Sequence, residues 1–132
     1  SVSEYLNDLV TSIAQTFTGL QDVDMTTSFG TCHLETDILF NLGIIITELL
    51  TNAYKYAFPD GRKGHINISC KHLENGSKEI IFEDDGIGMP QNLLNCERDS
   101  FGLSLVDILV KQIDGHMIIN SDMGTQYRIV FP

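Results

Sequence analysis

The strongest constraint on the fold is a helical pattern over residues 37–56 that is apolar around most of its circumference. Thr36 and Asp37 mark the start of this helix, and the turn at residues 58–61 ends it. A helix that is apolar on all sides is normally buried. We therefore predict a central buried helix, whose apolar residues are Ile38, Leu39, Leu42, Ile44, Ile45, Ile46, Leu49, Leu50 and Ala53.

The remaining segments alternate between helical spacing and short strand patterns. Residues 3–17 are predicted as a helix with Ser3 at its N-cap, and residues 22–35 as one or two strands around a turn at Gly30. A further helix is predicted over residues 102–113. This order favours an α/β two-layer sandwich, in which helices pack on one face of a mixed, mostly antiparallel sheet. The other predicted strands are residues 66–73, 79–83, 117–120 and 127–131, with a hairpin turn at 74–77.

Length and charge narrow the function classes. The 132 residues fit a single domain, residues 1–132, and 18 acidic against 8 basic residues give a net charge of -10. Such a surface repels nucleic acid and anionic membranes, so we expect neither as a partner. An anionic ligand in one local pocket is still compatible with this charge, because backbone N–H groups can receive phosphate without a basic surface.

Cysteine usage and the chain ends indicate a cytoplasmic domain. Cys32, Cys70 and Cys96 are widely spaced and form no C-x-x-C pair, which favours reduced thiols over disulfides or a zinc site. The sequence has no run of about 18 apolar residues and no signal-peptide pattern. Because the chain begins within a helical pattern, we expect it to be a piece of a longer protein.

Three polar residues interrupt the apolar pattern of the central helix. Glu48, Asn52 and Lys55 lie four and three residues apart, which stacks them on one helical face. A buried carboxylate is costly unless it is paired or meets a metal, and magnesium prefers oxygen ligands from few protein groups. Asn52 offers an amide oxygen, and Glu48 can hold a metal-bound water or accept a proton. The alternative is a Glu48–Lys55 salt bridge on an exposed stripe.

The second candidate feature is the loop at residues 84–90, which follows a predicted strand. Glycines at positions 86 and 88 allow close approach of the backbone to a planar ligand, and the Asp84 carboxylate can accept a hydrogen bond from an exocyclic amine such as that of adenine. A plain β-turn is the alternative. An EF-hand calcium loop is excluded, because its ligand spacing and closing Glu are missing.

Two further positions complete the set of candidates. Gly102 at the entry to a helix exposes N–H groups where the helix dipole favours anions. The hydroxyl of Thr125, which follows Gly124, can reach the base of a pocket or can simply finish a turn. Each of these signals is weak by itself.

Taken in order, the four features resemble the nucleotide-binding boxes of the ATPase superfamily shared by histidine kinases, DNA gyrase, the heat-shock chaperone and mismatch-repair proteins. The resemblance covers nearly all of residues 36–132. The run from Glu48 to Pro59 is similar to the N box of sensor histidine kinases, and its Lys-Tyr-Ala-Phe-Pro ending resembles one subgroup of them. The fold implied is the Bergerat-type ATP-binding fold.

The resemblance implies a role for each candidate residue. Asn52 would coordinate magnesium, Glu48 would be the catalytic residue, Lys55 would touch phosphate, and Tyr56 would lie against adenine. Asp84 would bind the adenine amine with support from Thr125, and Gly86 and Gly88 would shape the pocket. Gly102 and Leu103 would offer N–H groups to the phosphates.

Residues 89–101 would form the ATP lid, in which Arg98 is either a γ-phosphate contact or a solvated loop charge. Many relatives have Gly-x-Gly where this chain has Ser100-Phe101-Gly102.

The resemblance also implies partners and an activity. The expected activity is an ATP-dependent protein-histidine kinase of two-component signalling, with ATP and Mg²⁺ as cofactors. Its partners would be a histidine-bearing dimerisation domain in the same full-length protein, which would be a homodimer, and a response regulator. The histidines at positions 33, 65, 72 and 116 all lie in or beside predicted strands and turns, so no autophosphorylation of this chain is expected. The alternatives are a serine-protein kinase of the anti-sigma type and a nucleotide-binding regulatory module without phosphoryl transfer.

Overall fold

A computed structural model of the chain describes residues 2–17, 22–30, 32–88 and 103–132. In these ranges the helices are α1 (Val2–Thr16), α2 (Thr36–Asn52) and α3 (Leu103–Gln112). A π-helical turn (Ala53–Ala57) and a 3-10 turn (Pro59–Gly61) follow α2. The strands are β1 (Val23–Ser28), β2 (Gly64–His72), β3 (Lys78–Asp84), β4 (His116–Asn120) and β5 (Thr125–Phe131).

The described strands form one five-stranded sheet in the order β1-β2-β3-β5-β4. Only the edge pair β1–β2 is parallel, and the other three pairs are antiparallel. The β2–β3 hairpin closes at the predicted turn, where Gly76 has a φ of 89° and its N–H bonds to the Leu73 carbonyl at 3.0 Å. The prediction of a mixed, mostly antiparallel sheet is therefore confirmed.

The helices cover one face of the sheet and share a core with it. Burial alternates along β2 and β5, so every second side chain faces the helical layer. Helix α2 packs against both α1 and α3 and contributes the largest number of fully buried side chains to the common core. The predicted central position of this helix and the two-layer architecture are both confirmed. Its fully buried or nearly buried residues are Leu42, Ile45, Ile46, Leu49 and Leu50.

The opposite face of the sheet is polar and internally bonded. The Asn67 side chain accepts a hydrogen bond from Thr26 at 2.8 Å and donates one to Glu83 at 3.1 Å, and Gln126 donates to the same carboxylate at 3.0 Å. This network crosses four strands in one row of the sheet. The open face is thus held by side-chain hydrogen bonds in place of a second apolar layer.

Two local predictions differ from the structure. Helix α1 already includes Val2, so Ser3 lies inside the helix and is not its N-cap. Residues 22–35 contain one strand within their described part, which agrees with the prediction of one or two strands. The α-helical conformation of α2 ends at Asn52 and not near Tyr56, because the chain widens into the π-helical turn.

Cys32 and Cys70 are buried free thiols, and Cys96 lies outside the described residues. No helix in the described ranges is long and apolar enough to span a membrane.

Candidate functional site

Glu48 and Asn52 lie one helical turn apart near the end of α2, and both are half-buried. Within the described parts of the chain, no hydrogen bond or ion pair engages the Glu48 carboxylate, so the alternative Glu48–Lys55 salt bridge does not form there. The oxygens of this half-buried carboxylate are therefore available to a ligand. The predicted stacking of Glu48 and Asn52 on one face is confirmed by their helical spacing.

The π-helical turn changes where the next residues point. A turn closed by i→i+5 bonds is wider than an α-helical turn, so the side chains within it depart from the directions that a continued α-helix would give them. Lys55 is therefore not in the α-helical register that the sequence predicts for it. Lys55 and Tyr56 are exposed, whereas Ala53, Tyr54 and Ala57 are buried. The turn thus presents one polar pair outward while three of its residues stay in the core.

Asp84 ends β3 with its carboxylate nearly enclosed. Its side chain is 7% exposed, and its Oδ1 accepts a hydrogen bond from the Gly86 N–H at 2.9 Å. Thr125, at 6% exposure, lies directly opposite Asp84 in the β3–β5 register. Burial raises the pKa of Asp84, while backbone N–H groups of Gly86 and Thr125 lower it in part. A buried carboxylate with few fixed donors retains capacity to accept a bond from a ligand.

The neighbouring Asp85 has a different, structural environment. Its Oδ1 accepts a hydrogen bond from the His65 N–H at 2.7 Å, and its own N–H bonds to the His65 carbonyl at 3.2 Å. Arg62 donates to the Asp85 carbonyl at 2.9 Å. These contacts fix the loop to β2. Asp85 therefore anchors the loop, whereas the adjacent Asp84 side chain is buried.

The Asp84 loop docks directly on the π-helical turn. The Ile87 N–H donates to the Ala57 carbonyl at 3.0 Å. A Cβ at Gly86 would lie 2.3 Å from that carbonyl oxygen and 2.6 Å from the Ala57 Cβ, so only glycine fits at this close approach. Sequence reasoning missed Ala57, because a small residue inside a helical pattern carries no chemical signal. The structure therefore brings the end of α2 and the Asp84 loop together.

Two more glycines permit the tight packing of this loop. Gly88 has a φ of 82°, and a Cβ there would meet the Ser121 carbonyl at 2.9 Å. Gly124 has a φ of 79° and would place a Cβ 2.1 Å from the Asp84 carbonyl oxygen. Sequence reasoning used Gly124 only to locate Thr125. Its supporting role depends on the β3–β5 register, which the sequence does not display.

The third predicted box is described only in part. Leu103 is the first residue of α3 and is fully buried. Gly102, Arg98 and the lid predicted over residues 89–101 lie outside the described residues. Among the described residues, the Asp84 loop is in contact with both the π-helical turn after α2 and the start of β5.

Solved structures share this fold over almost the whole chain. The histidine kinase domain of the Erythrobacter litoralis EL346 blue-light activated histidine kinase superposes with a TM-score of 0.86 at 22% identity, covering 99% of this chain and 64% of that one. The mycobacterial sensor histidine kinase MprB superposes with a TM-score of 0.73 at 19% identity, covering 98% of this chain and 94% of that one. At these identities the likeness establishes the fold.

Curated relatives are similar in sequence as well. The sensor histidine kinase PdtaS of Mycobacterium tuberculosis is 34% identical over 86 residues, which are 64% of this chain and 17% of that protein. An uncharacterized sensor-like histidine kinase of Chloroflexus aurantiacus is 34% identical over 99 residues, covering 71% of this chain and 15% of that protein. The chain therefore spans less than a fifth of the length of these two relatives. Because residues 40–132 also match the family of histidine kinase-, DNA gyrase B- and HSP90-like ATPases, the chain belongs to that family.

Proposed function

We propose that this chain binds Mg-ATP and acts as the catalytic domain of a protein-histidine kinase. The observation that carries the proposal is the Asp84 carboxylate, which is nearly buried beside Gly86 and Thr125 at the end of β3. A buried carboxylate is costly unless donors satisfy it, and a ligand amine would add a donor to the backbone N–H groups of Gly86 and Thr125. The family membership supports the same assignment.

Adenine recognition is assigned to the Asp84 loop. The Asp84 carboxylate accepts a hydrogen bond from the exocyclic amine, and Thr125 supports this contact from the neighbouring strand. Gly86 and Gly88 let the backbone approach the base, and the exposed ring of Tyr56, at 45% exposure, offers a flat apolar surface to it. A base with a carbonyl at that position would face the carboxylate with a second acceptor, so the site favours adenine over guanine.

Phosphate and metal binding are assigned to the end of α2 and to α3. The Glu48 carboxylate, which has no partner among the residues that the structure describes, and the Asn52 side chain supply oxygen atoms suited to Mg²⁺, which takes few protein ligands. When bound, the metal neutralises phosphate charge. Asn52 holds it, Glu48 is the catalytic residue that positions or deprotonates the attacking group, and Lys55 contacts phosphate. The N–H groups of Leu103, the first residue of α3, and of Gly102, which precedes it in the sequence, receive phosphate oxygens.

The phosphate acceptor is assigned to a partner. The chain's four histidines, His33, His65, His72 and His116, all lie outside helices. The acceptor is therefore a histidine on a dimerisation domain of the same full-length protein, which acts as a cytoplasmic homodimer and passes the phosphoryl group to a response regulator. This chain alone binds ATP without phosphorylating itself. The similarity to sensor histidine kinases supports this assignment.

Substitution of Asn52 tests the metal assignment. Asn52→Ala should weaken Mg²⁺-dependent ATP binding by at least about tenfold, because the amide ligand is lost. Calorimetric titration of ATP with Mg²⁺ and with a chelator measures this effect. Asn41→Ala is the matched control, since Asn41 is also a half-buried amide on α2 and bonds to Gln112 at 3.4 Å, far from the Asp84 loop. Equal ATP affinity in wild type and Asn52→Ala would contradict the assignment.

A further inference from the structure

An aromatic stack joins the end of α1 to the π-helical turn. The rings of Phe17 and Tyr54 are nearly parallel, with an interplanar angle of 6° and centroids 4.6 Å apart. Tyr54 is 4% exposed and occupies the second position of the turn. The contact links two segments that are distant in sequence, and offset-stacked aromatic pairs have a strong preference for one geometry.

The same turn contacts the Asp84 loop on its other side. The Ala57 carbonyl receives the Ile87 N–H at 3.0 Å, and Gly86 packs against Ala57. Between these two contacts, Lys55 and Tyr56 are exposed toward solvent. The five residues of the turn are thus held from α1 on one side and from the loop on the other.

A π-helical turn is not the intrinsic preference of a chain. Such turns are rare, and when they occur inside helices they are found frequently at functional sites. Continuation of α2 as an ordinary α-helix would give the residues after Asn52 a different direction. In the observed turn, Tyr54 is buried against Phe17 while Lys55 and Tyr56 are exposed. The stack therefore holds the turn in the conformation in which Lys55 and Tyr56 point outward.

We propose that Phe17 and Tyr54 are positioning residues for nucleotide binding, and that α1 is part of the support of the site. This inference rests on the proposed function, in which Lys55 and Tyr56 contact ATP. Phe17 lies N-terminal to residues 40–132, the part of the chain that matches the ATPase family. Nucleotide affinity is therefore coupled to the position of α1, and a movement of α1 relative to α2 is transmitted to Lys55 and Tyr56.

A matched pair of substitutions on α1 tests the proposal. Tyr5 is also half-buried and contacts an aromatic residue of α2, with 5.8 Å between its ring centroid and that of Phe40, but it lies near the opposite end of α1 from Phe17. Phe17→Leu should weaken Mg-ATP binding by about tenfold, whereas Tyr5→Leu should leave affinity within about twofold at a temperature where both remain folded. Phe17→Tyr, which keeps the aromatic stack, should bind Mg-ATP with wild-type affinity. Equal effects of Phe17→Leu and Tyr5→Leu would overturn the proposal.

A second readout does not require nucleotide. The Ile87 amide should exchange with solvent faster in Phe17→Leu than in wild type or Tyr5→Leu, because its acceptor belongs to the turn that the stack holds. Unchanged Ile87 protection in Phe17→Leu would overturn the positioning role, even if the wild-type chain binds ATP. If Phe17→Leu loses this protection, Tyr5→Leu keeps it and the wild-type chain binds no ATP, the coupling would be supported and the proposed function overturned.

Discussion

At the scale of single residues, Asp84 combines a proposed role in ligand binding with a cost to stability, because an ionised carboxylate is unfavourable in a buried position. Burial raises the pKa of its carboxyl, and hydrogen bonds from Gly86 and Thr125 offset only part of the effect. The folded state therefore binds this proton more tightly than the unfolded chain, whose Asp pKa is about 3.9. The contribution of Asp84 to stability is fully present below the unfolded pKa and is lost as the pH rises through the raised folded pKa.

Asp84→Asn should remove this pH dependence. The free energy of unfolding of wild type relative to Asp84→Asn should fall as the pH rises from below about 4 toward neutrality, because only the wild type must ionise the buried Asp84 carboxyl. Urea denaturation at a series of pH values measures the difference. A difference that moves in favour of wild type over this range would show that the folded pKa is lowered.

The position of Asp84 was accessible from sequence, but its surroundings were not. A run of strand residues ending in two aspartates and spaced glycines predicts a carboxylate at a strand end, and β3 does end at Asp84. Thr125 and Gly124 meet Asp84 only through the β3–β5 register, which pairs residues about forty positions apart. Such non-local pairing leaves no local pattern in the chain.

At the scale of elements, the main departure from prediction is the end of α2. The apolar spacing of Leu49, Leu50, Ala53, Tyr54 and Ala57 continues without a break, so periodicity indicates an uninterrupted helix. The turn has two non-local contacts: Phe17 stacks on Tyr54, and the Asp84 loop docks on Ala57. Hydrophobic spacing predicts which face is buried, but it carries no signal for these contacts or for a π-helical turn.

The sheet depends on one buried acidic residue on its open face. Glu79 is only 4% exposed, and its carboxylate is bonded by Arg128 and lies 3.5 Å from Lys71. Lys63 and Asp22 form a contrasting pair at 3.6 Å, with side chains 88% and 62% exposed. The Arg128–Glu79 and Lys63–Asp22 pairs differ in the burial of the acid. A comparison of the two therefore shows how burial changes the contribution of an ion pair to the free energy of unfolding.

Arg128→Met should destabilise the fold by about 2 kcal/mol, because it leaves a buried carboxylate with one weaker partner. Lys63→Met is the control and should change the unfolding free energy by less than about 0.5 kcal/mol, as expected for an exposed pair. Chemical denaturation at neutral pH and moderate salt compares the two. Similar losses in both variants would contradict the assigned importance of burial at Glu79.

At the scale of the whole molecule, sequence reasoning predicted the architecture but not its strand order. The buried α2 and the hairpin at residues 74–77 followed from periodicity and turn chemistry. The parallel pairing of β1 with β2 did not, because the two strands are separated by all of α2. Helix α2 packs between α1 and α3 in the layer that covers the sheet, and the π-helical turn after it contacts the Asp84 loop.

The central claim is that this end of the molecule recognises the adenine of Mg-ATP through Asp84. The most direct test is calorimetric titration of the wild-type chain with ATP and with GTP, each with Mg²⁺ and with a chelator. We predict that ATP binds at least about tenfold more tightly than GTP in the presence of Mg²⁺, because GTP places an acceptor opposite a buried carboxylate. Equal affinity of the wild-type chain for ATP and GTP would contradict the account.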